Sequence, residues 1–161
     1  MPAKKIQSQG WPVKAVDAPK LSTNEWVLTA VPGVILLVMA ILQLISFNDF
    51  KVGLALMGVA SPNFWGACII MAEIWGAAGF FKLRLSRGFR SVSYVLAVLV
   101  SGFWFINNLQ LVASNTGAQM HNSYFFGRFL AQAPSWWTVL EVSILLFWVA
   151  YKVALLRERQ E

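Results

Sequence analysis

Glu73 is the residue whose type and position most call for chemistry. It lies near the middle of an apolar run, residues 64–81. A carboxylate at the centre of a membrane-crossing helix costs about 2.5–3.5 kcal/mol on insertion scales, so it must face protein, water or a ligand rather than acyl chains. Other polar side chains interrupt apolar runs at comparable depth: Gln43 in the first run, Asn107, Asn108 and Gln110 in the third, and Glu141 in the fourth. Two readings of this set stand side by side. In one, the groups form a hydrogen-bond network between helices, each contact contributing roughly 0.6 kcal/mol. In the other, they line a small polar pocket in which Glu73 or Glu141 accepts a proton or hydrogen-bonds the head of a quinone-like ligand. Gln43, Asn107, Asn108 and Gln110 then orient that head, and Trp104, one turn before the asparagines, supplies a stacking wall.

Other chemistries lack their residues. A single cysteine, Cys68, permits neither an internal disulfide nor a CxxC pair nor a cysteine-built metal site. The lone histidine, His121, can offer one ligand to a metal or to a pigment held by a neighbouring subunit, against a plain surface role. The chain therefore carries no self-sufficient catalytic set and no intrinsic cofactor. A quinone, or a pigment or haem held by a partner, is what it can serve.

The elements that must position these groups are membrane helices. Of 161 residues, 58% are hydrophobic and only 12% charged, outside the composition of an ordinary soluble domain. Four apolar segments, residues 26–47, 64–81, 89–113 and 136–156, approach or reach the length that crosses a hydrocarbon layer of ~30 Å. Ser22-Thr23-Asn24-Glu25 fits a capping box before the first, Ser61-Pro62 opens the second, and Ala133-Pro134-Ser135 precedes the fourth. The second segment carries Cys68, Ala72, Gly76 and Gly79 on one face, and small residues at that spacing let helix backbones approach closely. Between the first two segments, Phe50, Leu54, Met57 and Val59 can form a stripe too short to span, which predicts a short helix lying in the interface. The fold class expected is all-α: a polytopic membrane four-helix bundle with a short interfacial helix between spans one and two. Residues 1–23 form a basic tail, 24–157 the four-span transmembrane domain and 158–161 the C-terminal end.

Charge sets the orientation. Lys4, Lys5, Lys14 and Lys20 precede span one, Lys82, Arg84, Arg87 and Arg90 lie between spans two and three, and Lys152, Arg157 and Arg159 end the chain. Only Lys51 and Arg128 fall on the other side. Positive residues are retained in the cytoplasm, so both termini are placed there, with Lys152 snorkelling to the headgroups. The formal charge of +6 is thereby read as topology, and nucleic acid is excluded as a partner. Membrane lipid and other integral subunits remain. In the longer outer loop, Tyr124, Phe125, Phe126 and Phe129, with Trp136 and Trp137, form an interfacial aromatic belt or, alternatively, a ligand-stacking surface.

Three stretches carry a family resemblance: Asn48-Asp49-Phe50 followed by Leu54-Ala55-Leu56-Met57-Gly58 and Ser61-Pro62; Glu73-Ile74-Trp75-Gly76-Ala77-Ala78-Gly79; and Arg87 with Arg90. In this order they resemble the DoxX-like family of four-helix bacterial membrane proteins, which includes MauE-type and thiosulfate:quinone oxidoreductase small-subunit relatives. The resemblance covers residues 31–112. It implies association with membrane redox complexes, some linked to quinone and some to thiol-handling enzymes. Thiol-active relatives carry a cysteine pair, and this chain has Cys68 alone, so only Glu73 and the glycine face are carried over. The reading that follows is a small accessory subunit that stabilises a larger redox or energy-converting membrane complex. Its alternatives are a DoxX-like quinone-linked oxidoreductase subunit and a proton or small-solute carrier using Glu73 and Glu141.

Overall fold

The capping signals set where the helices begin. A computed structural model of the chain describes residues 17–114 and 120–159, and within them lie α1 (Thr23–Ile45), α2 (Phe47–Leu56), α3 (Pro62–Ala78), α4 (Arg87–Ala113) and α5 (Trp136–Glu158). Ser22 caps α1 reciprocally: its Oγ accepts from Glu25 N at 3.3 Å, and its own N–H donates to Glu25 Oε2 at 2.8 Å. Pro62 occupies the first turn of α3, where its missing N–H leaves no bond unmade. Ser86 caps α4, and Ser135 closes a box with Thr138 at the start of α5.

The described chain is all-α. Three helices, α1, α4 and α5, are long and apolar enough to cross a membrane. α3 has 17 residues, which at 1.5 Å per residue covers about 25 Å. It ends earlier than the apolar run does: Gly79, Phe80 and Phe81 bond back only three residues, to the carbonyls of Gly76, Ala77 and Ala78, and Phe80 is buried beside Tyr94, with ring centroids 6.0 Å apart.

α3 packs between α1 and α4, and α5 packs on the far side of α4 and touches α1 more lightly. Small residues govern the first two contacts. A Cβ on Gly76 would sit 3.0 Å from the backbone of Ala97, and one on Gly79 would sit 2.9 Å from Ser93 Cβ. On the other flank, a Cβ on Gly33 would meet Phe80 and the Ala77 carbonyl at 2.9 and 3.1 Å. Gly76 and Gly79 thus belong to a close helix contact. Cys68 and Ala72 are half-buried in the wall of an apolar cleft between α3 and α4, with Trp65, Leu99 and Phe103, and Ala72 packs against the core.

α2 turns Phe50 and Leu54 fully into the core, while Met57 and Val59 pack against its edge. The stripe seen in the sequence therefore faces protein. A loop before α5 lies across the same end of the molecule. Within it Asn122 accepts from Tyr124 N at 2.9 Å and donates to Gly127 O at 2.8 Å. Gly127 has φ +58°, and a Cβ there would collide with Ser46 Oγ and the Leu42 carbonyl, so this turn is seated against the end of α1. At the opposite end, Arg159 reaches Glu25 at 3.3 Å and Arg84 reaches Asp17 at 2.9 Å. The start of α1, the α3–α4 turn and the end of α5 are gathered there. The tail lysines Lys4, Lys5 and Lys14 lie outside the described residues.

Candidate functional site

Three of the residues singled out in the sequence meet inside the bundle. Glu73 projects from the middle of α3 and is wholly buried, as are Gln43 of α1 and Trp104 of α4. Trp104 Nε1–H donates to Glu73 Oε1 at 2.8 Å, and Gln43 Nε2 donates to the same oxygen at 3.2 Å. The Gln43 amide makes a second bond, to the Phe125 carbonyl at 3.0 Å. One carboxylate oxygen therefore joins α1, α3 and α4, and the glutamine extends the tie to the loop before α5. Apolar rings close the cluster: Trp104 stands edge-on to Phe125, with centroids 5.4 Å apart, and lies 6.1 Å from Phe50. Glu73 Oε2 and Gln43 Oε1 are buried and have no hydrogen-bond partner among the described residues.

The remaining candidates are dispersed. Asn108 turns back on its own helix, donating to Trp104 O at 2.9 Å. Asn107 reaches Met57 Sδ at 3.2 Å, and with Gln110 it lines a separate cleft near the C-terminal end of α4. Glu141 faces another cleft, of about 340 Å³, walled by Phe125, Phe126, Gln132, Leu145 and Trp148. His121 is exposed in the loop. Among the described residues there is no group of three or more His, Cys, Asp or Glu side chains able to hold a metal ion.

The chemistry open to this arrangement is correspondingly divided. Glu73 has one oxygen engaged by two donors and no exposed surface, and it lies in the wall of none of the clefts at α5, α3–α4, the C-terminal end of α4, Ser46–Arg128 or Arg90. Its carboxylate ties α3 to α1 and α4 through those two bonds. Glu141 is half-buried, has no hydrogen-bond partner among the described residues, and can present its carboxylate to a ring-shaped head lying between Phe125, Phe126 and Trp148. Phe125 belongs to both regions, its carbonyl holding Gln43 and its ring walling the Glu141 cleft.

Two positions carry more than the sequence reading gave them. Phe125 acts through a backbone oxygen, which leaves no trace in residue type. Arg90, read as a topology signal, is only 2% exposed. A signal for it exists: Arg90, Ser93, Tyr94, Ala97, Val100, Ser101, Trp104, Asn107 and Asn108 recur every three or four residues and form the buried face of α4. Lys152 likewise lies inside the packing at 6% exposure, its Nζ 5.3 Å from the Tyr151 ring centroid, rather than extended along the surface.

No family model matches the chain, and no characterised protein or solved structure matches it. Its site therefore has to be read from its own residues.

Proposed function

We propose that this chain is a small integral subunit that stabilises a larger redox or energy-converting membrane complex and offers the Glu141 cleft to the head of a quinone or other ring-headed lipid. In this reading α1, α3, α4 and α5 form a four-helix membrane bundle, α2 lies at the outer interface, and both chain ends face the cytoplasm of a bacterium, as in the DoxX-like family. The observation that carries it is the engagement of Glu73. The deepest acid of the bundle accepts from Gln43 and Trp104 and is enclosed, as befits a part that holds helices in register. The cleft supports the second half: its walls are aromatic and aliphatic, with one carboxylate and one amide, Glu141 and Gln132, to orient a polar head.

Extraction in mild detergent, native electrophoresis and absorption spectroscopy test the first half. The chain is expected to migrate within a larger assembly that carries a haem, flavin or pigment band. Migration as a lone colourless protein contradicts it. The oxidoreductase alternative places Glu73 in turnover and so demands that Glu73→Gln abolish activity with the assembly intact. The accessory reading expects activity to follow assembly. For the cleft, Glu141→Gln is expected to weaken binding of a short-chain quinone by about tenfold, as for loss of a charge-assisted hydrogen bond.

A further inference from the structure

The end of the molecule remote from the Glu73 cluster holds a cavity of about 480 Å³ lined by Asp17, Lys20, Arg87, Arg90 and Arg159 with three small or apolar neighbours. Its charges do not balance. Asp17 is paired with Arg84 at 2.9 Å and Arg159 with Glu25 at 3.3 Å. Lys20, Arg87 and Arg90 have no ion pair among the described residues. Arg90 is the most telling of them: it is only 2% exposed, Nη2 donates to the Leu83 carbonyl at 2.8 Å, and Nη1 has no hydrogen-bond partner among the described residues. A buried guanidinium nitrogen left without an acceptor is costly. Position adds to the cost, because Arg87 and Arg90 fall in the first turns of α4, where the helix already presents partial positive charge and unpaired N–H groups. Cations at that end are of the unfavourable sign, and an anion there would relieve both defects together.

We infer that this cavity binds a phosphate group, carried by an anionic lipid headgroup or by a small soluble phosphate ester. Arginine forks match phosphate oxygens two at a time, the start of α4 adds its field, and the cavity is of a size that takes a headgroup. The site is independent of the Glu141 cleft and stands whether or not a quinone binds there.

The test uses the full chain purified in uncharged detergent, with native mass spectrometry and thermal melting as readouts. Phosphatidylglycerol is expected to be retained in preference to phosphatidylcholine and to raise the melting temperature. Arg87→Gln is expected to reduce that preference about fivefold, the weight of one cation near a lipid phosphate, and Arg90→Gln to reduce it further. Arg157→Gln, at the same end and outside the cavity wall, leaves it unchanged. Arg87 is exposed, so its variant decides the matter even where Arg90→Gln does not fold. Without lipid, Arg87→Gln is expected to melt higher than the parent, a sign that a purely structural arginine would not give. Stabilisation by glycerol phosphate and not by phosphatidylglycerol keeps the site and assigns it to a soluble ester. Equal retention of both lipids with no response to glycerol phosphate overturns the inference, as does an equal loss on Arg157→Gln.

Discussion

The Glu73 cluster and the Arg90 cavity enclose their buried polar groups differently. Around Glu73, one anion-capable group is met by two donors from neighbouring helices and sealed by Phe50 and Phe125. Around Arg90, a buried cation keeps one nitrogen without an acceptor among the described residues, beside an open cavity whose wall also carries Lys20, Arg87 and Arg159. Each keeps a buried atom without a partner among the described residues, Glu73 Oε2 and Gln43 Oε1 in the first and Arg90 Nη1 in the second. What separates them is enclosure and charge: rings wall the first, and the second opens on a cavity where Lys20, Arg87 and Arg90 have no ion pair among the described residues.

Substitutions at each end can break or sharpen this contrast. The largest effect is expected from Trp104→Ala, which removes a fully buried aromatic and a donor to Glu73 and should cost about 3–5 kcal/mol in a detergent melt. Glu73→Leu comes next: it strands the Trp104 and Gln43 donors in a dry interior, and roughly 2 kcal/mol is expected. Glu73→Gln keeps an oxygen where both donors converge and should cost about 1 kcal/mol or less. A loss as large as that of Glu73→Leu would show that the charge, and not the tie, matters. Smallest is Arg87→Gln, expected to stabilise the lipid-free chain by about 0.3 kcal/mol or more at low ionic strength, and progressively less as salt rises. A destabilising Arg87→Gln would make the two ends alike.

Much of the helical frame was legible in the sequence because its signals are local. The Ser22–Glu25 box, Pro62 and Ser135 fix helix starts over four residues, and Gly76 with Gly79 marked the face that meets α4. The candidate site was legible only by depth. Gln43, Glu73, Trp104, Asn107, Asn108, Gln110 and Glu141 were grouped because they stand at comparable depths, yet depth does not give direction around a helix. In a membrane helix the outward face is as apolar as the inward one, so the amphipathic stripe that reveals direction in a soluble helix is faint. Glu141 accordingly turned out to face a cleft apart from Glu73, and Asn107 to face Met57. The Phe125 carbonyl could not be anticipated, being a main-chain atom 82 positions from its glutamine.

That last bond also orders events during biosynthesis. Ribosomes deliver the N-terminal helices first, so the helices that carry Gln43 and Glu73 are synthesised before Phe125. Until the turn ending at Gly127 emerges and seats itself on Ser46, the glutamine amide holds a donor with nowhere to go, and the nascent intermediate keeps a reason to wait for its last helix. A ribosome stalled short of Gly127 should accordingly expose a half-made bundle to membrane quality-control proteases, and release beyond it should end that exposure.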